Sequence, residues 1–257
     1  MATDDTNDDP LLSALSRQEF FLLFQPTIDL QSGAFVGVES LLRWRSPDGV
    51  RTPEGFLARL ETSGAIREVG AWVLGAACEA GAEWHARGHR FWVSVNVSPS
   101  QLLDPTFPES LGAALDLSGF APSHLVLEFP GVTLQMDVEA LGAAKRQGVR
   151  LCVDDFGADP GVASLLEGSP IDIVKIDRSL VRALSSDEGT DRVRELVETG
   201  RALHLETVAQ GIEDDDQRLV LRGEHVAGQG FLLSVPHTAS ELDRLLQDYA
   251  IFSGRPL

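Results

Sequence analysis

Short runs rich in β-branched and aromatic residues alternate with helix-period stretches along almost the whole chain, and this alternation restricts the fold more than any other feature. The strand-like runs are 20–26, 35–44, 91–97, 125–129, 150–155, 171–176, 205–209 and 226–233. The helical stretches are 53–62, 66–87, 107–117, 137–147, 162–167, 188–202, 214–222 and 239–249. In 66–87, Ile66, Val69, Val73, Leu74, Ala77 and Cys78 fall on one stripe of a 3.6-residue helix. In 239–249, Leu242, Leu245 and Leu246 face one way and Asp243 and Gln247 another. Strands joined through helices run parallel, and eight of them in 257 residues fit an α/β, TIM-like (β/α)8 barrel. The first two runs break the pattern. Only the stretch 31–34, containing Ser32 and Gly33, separates them, whereas a parallel crossover needs about a dozen residues. The pair is therefore a hairpin, and the barrel has an antiparallel first strand. An open doubly wound sheet is the competing arrangement.

Composition narrows the class of function. The chain is 43% hydrophobic and 23% charged, as globular proteins are, and no Pro-, Ser- or Gly-rich linker divides it. A single domain over 11–257 is expected, behind a disordered acidic tail, 1–10, that carries Asp4, Asp5, Asp8 and Asp9. The net charge of −18 argues against a nucleic-acid polymer as partner, which needs a basic footprint. Two cysteines, Cys78 and Cys152, give no disulfide framework. No apolar run reaches the ~18 residues of a membrane span, and the acidic start is unlike a signal peptide. A cytoplasmic protein without membrane insertion is expected.

Strand alternation then assigns the polar residues. Val93, Val95 and Val97 share the face that suits a helix layer, which leaves Ser94 and Asn96 toward the lumen. By the same rule Glu39, Leu41 and Arg43 share one face of the second run, Val126 and Glu128 one face of the fourth, Cys152 and Asp154 of the fifth, and Ile173 and Lys175 of the sixth. Gln210 closes the seventh run and Gln229 lies in the eighth. A buried charge must be paired or bound to a metal. Glu39, Asn96, Glu128 and Asp154 offer the oxygen ligands that Mg²⁺ or Mn²⁺ prefers, and Asp155, at the turn, is placed to bridge to a second ion. Lys175 stands out because Lys145 is the only other lysine in an arginine-rich chain. An acid of this kind taken alone is more often a helix cap or an ion-pair partner; the set on five strands reads as a site.

These residues fall in an ordered series: Phe24-Gln25-Pro26, Glu39-Ser40-Leu41, Arg43-Trp44, Asn96-Val97-Ser98, Glu128, Asp154-Asp155-Phe156-Gly157, Lys175-Ile176-Asp177-Arg178, Gln210-Gly211-Ile212-Glu213 and Gln229-Gly230-Phe231. The series resembles EAL domains, which bind or hydrolyse cyclic diguanylate (c-di-GMP), with Ser40 in place of the alanine that names the family. The resemblance runs from about Phe24 to Pro236 and implies a TIM-like barrel with an antiparallel first strand. It implies two-metal phosphodiesterase chemistry giving pGpG, with Glu39, Asn96, Glu128 and Asp154 on one ion and Asp155 on the second. Lys175 matches a lysine beside the attacking water. Gln25, Leu41 and Arg43 match contacts to the ligand, and Gln229 belongs with them.

Three departures from the family pattern bear on activity. Gln210 stands where the family has a glutamate with general-base or metal duty, and an amide neither takes a proton at neutral pH nor adds charge to a cation. The loop 158–163 has lost the family's hydroxyls and gained Pro160. The glutamate that anchors that loop is replaced by Gly131, after Pro130. Ser40, on the outer face, is a small-for-small exchange. The expected function is a c-di-GMP-binding domain with impaired or lost hydrolysis and weakly held Mg²⁺ or Mn²⁺. Competing readings are an active phosphodiesterase, an interaction scaffold without nucleotide, and a different metal-using barrel enzyme. No receiver, GGDEF-type or PAS-like segment is expected in the short stretch ahead of the barrel, so a homodimer or a signalling protein partner would carry regulation.

Overall fold

Asp29 turns the chain back on itself. Its Oδ1 accepts from the Ser32 backbone N–H at 2.7 Å and from the Ser32 hydroxyl at 2.5 Å, while Gly33 adopts φ 75°. The computed structural model, which describes residues 10–135 and 138–253, thereby pairs β1 (Phe20–Asp29) antiparallel to β2 (Phe35–Ser46), from Phe20 opposite Trp44 to Ile28 opposite Phe35. A three-residue β3 (Gly49–Arg51) only extends β2 outward. The remaining strands are β4 (Trp92–Asn96), β5 (Leu125–Pro130), β6 (Arg150–Phe156), β7 (Ile173–Ile176), β8 (Glu206–Gln210) and β9 (Ala227–Gln229). Parallel pairing runs from β2 through β4 and on to β9, and β1 closes the ring by pairing antiparallel with both β2 and β9. Eight strands thus form a closed barrel with the reversed first strand that the 31–34 connection requires.

The helices are α1 (Pro10–Ser16), α2 (Leu57–Ser63), α3 (Ile66–Ala86), α4 (Pro99–Leu102), α5 (Phe107–Ser118), α6 (Val138–Arg146), α7 (Val162–Leu166), α8 (Arg178–Arg182), α9 (Asp187–Ala202), α10 (Asp215–Gly223) and α11 (Ala239–Ser253). Period-2 alternation separates two cores. Val93, Val95, Leu125, Leu127, Leu151, Val153 and Val174 pack outward in the large cluster under the helices. Trp92, Val126, Cys152, Ile173 and Val208 form a second cluster that fills the lumen floor. Gly37 is required beside it, because a Cβ there would lie 2.2 Å from the Trp92 ring.

Several boundaries differ from the sequence reading. The run 226–233 is a strand only over Ala227–Gln229. After it the backbone turns, with Leu233 and Ser234 N–H donating to the Gly230 carbonyl at 3.0 Å, and Gly230 lies so close to Ile212 that a Cβ would meet its carbonyl at 2.2 Å. Stretch 53–62 divides into a 3-10 turn, Pro53–Gly55, and α2. Residues Ile171 and Asp172 precede β7, and the Asp172 carboxylate accepts from Lys145 at 2.5 Å and from the Leu151 N–H at 2.8 Å. The short α1, α4 and α8 carry too few residues for periodicity to show. The expected acidic tail lies outside the described residues except for Pro10, which opens α1, and Asp137 also lies outside them.

Candidate functional site

Because strands β2, β4, β5, β6, β7 and β8 run parallel, their C-terminal ends meet at one rim, and the inward residues there share a small volume. Lys175 is the hub. It is 1% exposed, and its Nζ donates to Glu39 Oε2 at 2.6 Å and to Glu128 Oε2 at 2.9 Å. The Asn96 amide donates to Glu39 Oε1 at 2.8 Å, and the Gln229 amide to Glu39 Oε2 at 3.0 Å and to Gln25 Oε1 at 3.2 Å. Gln25 is itself held by the Ser234 carbonyl, which accepts from its Nε2 at 3.0 Å. Gln210 Nε2 donates to Asp154 Oδ1 at 2.8 Å.

A cavity of about 460 Å³ opens beside this cluster. Glu39, Leu41, Arg43, Asn96, Glu128 and Asp154 line it on the barrel side, and Pro53, Glu54 and Leu57 on the other. Gln25, Gln229, Lys175, Gln210 and Asp155 are not among its lining residues: the first three are buried behind it, and Gln210 contributes through Asp154. Asp155 is an exposed residue with φ 54°, and it hydrogen-bonds Asp177. Its geometry therefore links it to the start of α8 as well as to the site. Asp177 and Glu54 are charged residues of the rim that the sequence reading left without a role. Both stand in connections where strand alternation no longer assigns a face; Asp177 is an N-cap whose Oδ1 accepts from the Ser179 N–H at 2.9 Å.

Burial sets the protonation of the cluster. For Glu39 burial opposes ionisation, but the Lys175 charge and three hydrogen-bond donors outweigh it and hold the carboxyl below the usual range. Glu128 has the same burial and shares the Lys175 charge, but Lys175 is the one hydrogen-bond donor that supports it; desolvation, then the Glu39 charge, outweigh this and push it up to about 8. Desolvation also raises Asp154. Desolvation, then the Asp154 and Asp177 charges, push Asp155 up to about 6, so only below that pH is its carboxyl protonated and able to donate to Asp177.

Glu128 binds its proton more tightly folded than unfolded, so the stability it contributes is full below pH ~4.5 and is lost as pH rises toward about 8. With chelator present, Tm should fall between about pH 6.5 and 8.5, above the Asp155 range, and Glu128→Gln should flatten that slope. A wild-type Tm constant across the interval would contradict the assignment.

Among the described residues, no three His, Cys, Asp or Glu side chains stand gathered as a formed metal cage. Lys175 occupies the space between Glu39 and Glu128 instead. The donor chemistry nonetheless suits a hard divalent cation, because the Glu39, Glu128 and Asp154 carboxylates and the Asn96 amide share the barrel side of a single cavity and Glu128 Oε1 is buried with no hydrogen-bond partner.

Comparison with known proteins bears on this rim directly. The family model described as EAL domain matches residues 8–236. The chain belongs to the EAL domain family. This EAL domain is 35% identical over 240 residues to the bifunctional diguanylate cyclase/cyclic di-GMP phosphodiesterase MucR of Pseudomonas aeruginosa, a match covering 90% of this chain and 35% of that protein. It is 31% identical to the cyclic di-GMP phosphodiesterase NbdA of the same organism, covering 97% of this chain and 33% of that protein. The chain thus spans about a third of the length of these relatives. Among solved structures, the PaMucR phosphodiesterase in complex with c-di-GMP superposes with a TM-score of 0.86 at 34% identity, over 90% of this chain and 97% of that one. The EAL enzyme Bd1971 in its cAMP- and cyclic-di-GMP-bound form also gives 0.86, at 27% identity, over 91% of this chain and 66% of that one. No described helix of this EAL domain is long and apolar enough to cross a membrane.

Proposed function

We propose that this EAL domain binds c-di-GMP at the barrel mouth and that its phosphodiesterase chemistry is impaired or lost. Glu39, Asn96, Glu128 and Asp154 would hold Mg²⁺ or Mn²⁺, with Asp155 serving a second ion. When bound, such ions supply an activated water and neutralise charge developing at phosphorus. The observation that carries the reading is the Gln210 contact. Its amide donates to Asp154 Oδ1 at 2.8 Å, so the position that would need a proton acceptor presents a donor instead. The contact also occupies one oxygen of a proposed metal ligand. The binding side is better equipped. Leu41 and Arg43 line the cavity, and Arg43 Nη1 is braced by the Leu42 carbonyl, which accepts at 2.8 Å.

Calorimetric titration with c-di-GMP tests the binding half. Arg43→Ala should weaken binding by roughly tenfold to a hundredfold, as removal of a hydrogen bond from a charged group does. No binding by the wild-type domain, or unchanged affinity in the variant, would overturn the reading. The intact Lys175–Glu39–Glu128 cluster favours a second reading, an active metal-dependent phosphodiesterase. That reading demands pGpG release abolished by Glu39→Ala.

A further inference from the structure

Below the rim, the lumen holds polar atoms that the site does not use. Thr27 Oγ1, Ser94 Oγ and Gln229 Oε1 are buried and have no hydrogen-bond partner. Thr27 and Ser94 are 0% exposed and Gln229 is 4% exposed. All three face inward. Ser94 alternates with the outward Val93 and Val95. Thr27 shares the face of Gln25, opposite the outward Phe24, and pairs with Gly37, whose missing side chain is replaced by the Trp92 ring. The β1–β9 register, with Ile28 opposite Gly228 and Asp29 opposite Ala227, sets Thr27 next to Gln229. Ser94 is opposite Glu39, which Gln229 and Lys175 both reach. Gln229 therefore links the two positions: it stands beside Thr27, which pairs at the level of the floor, and it reaches Glu39, beside which Ser94 stands. None of the three residues lines the mouth cavity, so bulk solvent there does not satisfy their oxygens.

We propose that this part of the lumen is a fixed internal hydration site, with at least one ordered water held by Gln229 Oε1 and the Thr27 and Ser94 hydroxyls. The chemistry selects water over an ion. Gln229 Oε1 only accepts, the hydroxyls donate or accept, and Lys175, with two of its three N–H donors on Glu39 and Glu128, retains one to give. A second cation would be repelled by the Lys175 ammonium, and an anion by Glu39. A water both donates and accepts, and needs two to four such partners. Its acceptance by Gln229 Oε1 keeps the opposite end of that amide aimed at Glu39 and Gln25. The proposal is independent of which nucleotide, if any, binds at the mouth.

A high-resolution crystal structure of the wild-type domain decides it. Ordered solvent should lie within about 2.7–3.2 Å of Gln229 Oε1 and of at least one of the two hydroxyls. A dry lumen, with these atoms bonded to protein groups or to nothing, overturns the proposal. Thr27→Val gives an independent sign. If the hydroxyl binds water, Tm falls by about 2–4 °C, because the water loses a partner. If the hydroxyl is bare, the isosteric methyl removes an unsatisfied group and Tm holds or rises, which contradicts the site.

Discussion

Gln210→Glu should raise c-di-GMP turnover by about 10²- to 10⁴-fold, the range that a positioned general base contributes. The wild-type amide lies at the end of β8, 2.8 Å from Asp154 Oδ1, and the substitution preserves its length. What changes is charge. The introduced carboxylate faces Asp154, whose own carboxyl is already raised by burial, so in the absence of metal the two acids oppose each other. A divalent cation would relieve that opposition. The variant should therefore show a larger rise of Tm with Mn²⁺ than the wild type does, as well as faster release of pGpG by chromatography. Turnover no greater than the wild type's would remove Gln210 from the account and shift the defect to loop 158–163. There Val162 packs against Gly131, where a Cβ would lie 2.7 Å from its methyl group.

Lys175→Met should be the most destabilising change at the rim. It leaves Glu39 and Glu128 buried without their shared cation, a loss of the kind that costs about 3–5 kcal/mol. At roughly 2–4 °C per kcal/mol, a Tm decrease of about 10 °C is expected by calorimetry. Lys145→Met is the matched control. The Lys145–Asp172 pair is shorter still, at 2.5 Å, but its side chains are 35% and 26% exposed, so the control should lose far less. Equal losses in the two variants would show that burial does not set the value of the Lys175 cluster.

The barrel and the membership of the rim were legible in the sequence because both depend on periodicity. The four-residue connection at 31–34 forces a hairpin, and the two-residue repeat in β2, β4, β5, β6 and β7 assigns Glu39, Asn96, Glu128, Asp154 and Lys175 to the lumen. Which residues touch was not legible. Nothing in the spacing says that Lys175 takes Glu39 and Glu128 while Asp154 takes Gln210, since those choices depend on strand tilt and side-chain reach. The same is true toward the strand ends. Asp155 takes a left-handed conformation within β6, at a register irregularity, and meets Asp177, and β9 stops at Gln229 because the following glycine abuts Ile212. Both outcomes are tertiary, and both fall where the strand period is broken.

The central claim is that this EAL domain retains c-di-GMP without cleaving it. Incubating the wild-type domain with c-di-GMP and Mn²⁺, then resolving bound and free nucleotide by chromatography, tests it most directly. The account predicts intact c-di-GMP recovered with the protein and little or no pGpG. Rapid, metal-dependent conversion to pGpG with Gln210 in place would contradict it.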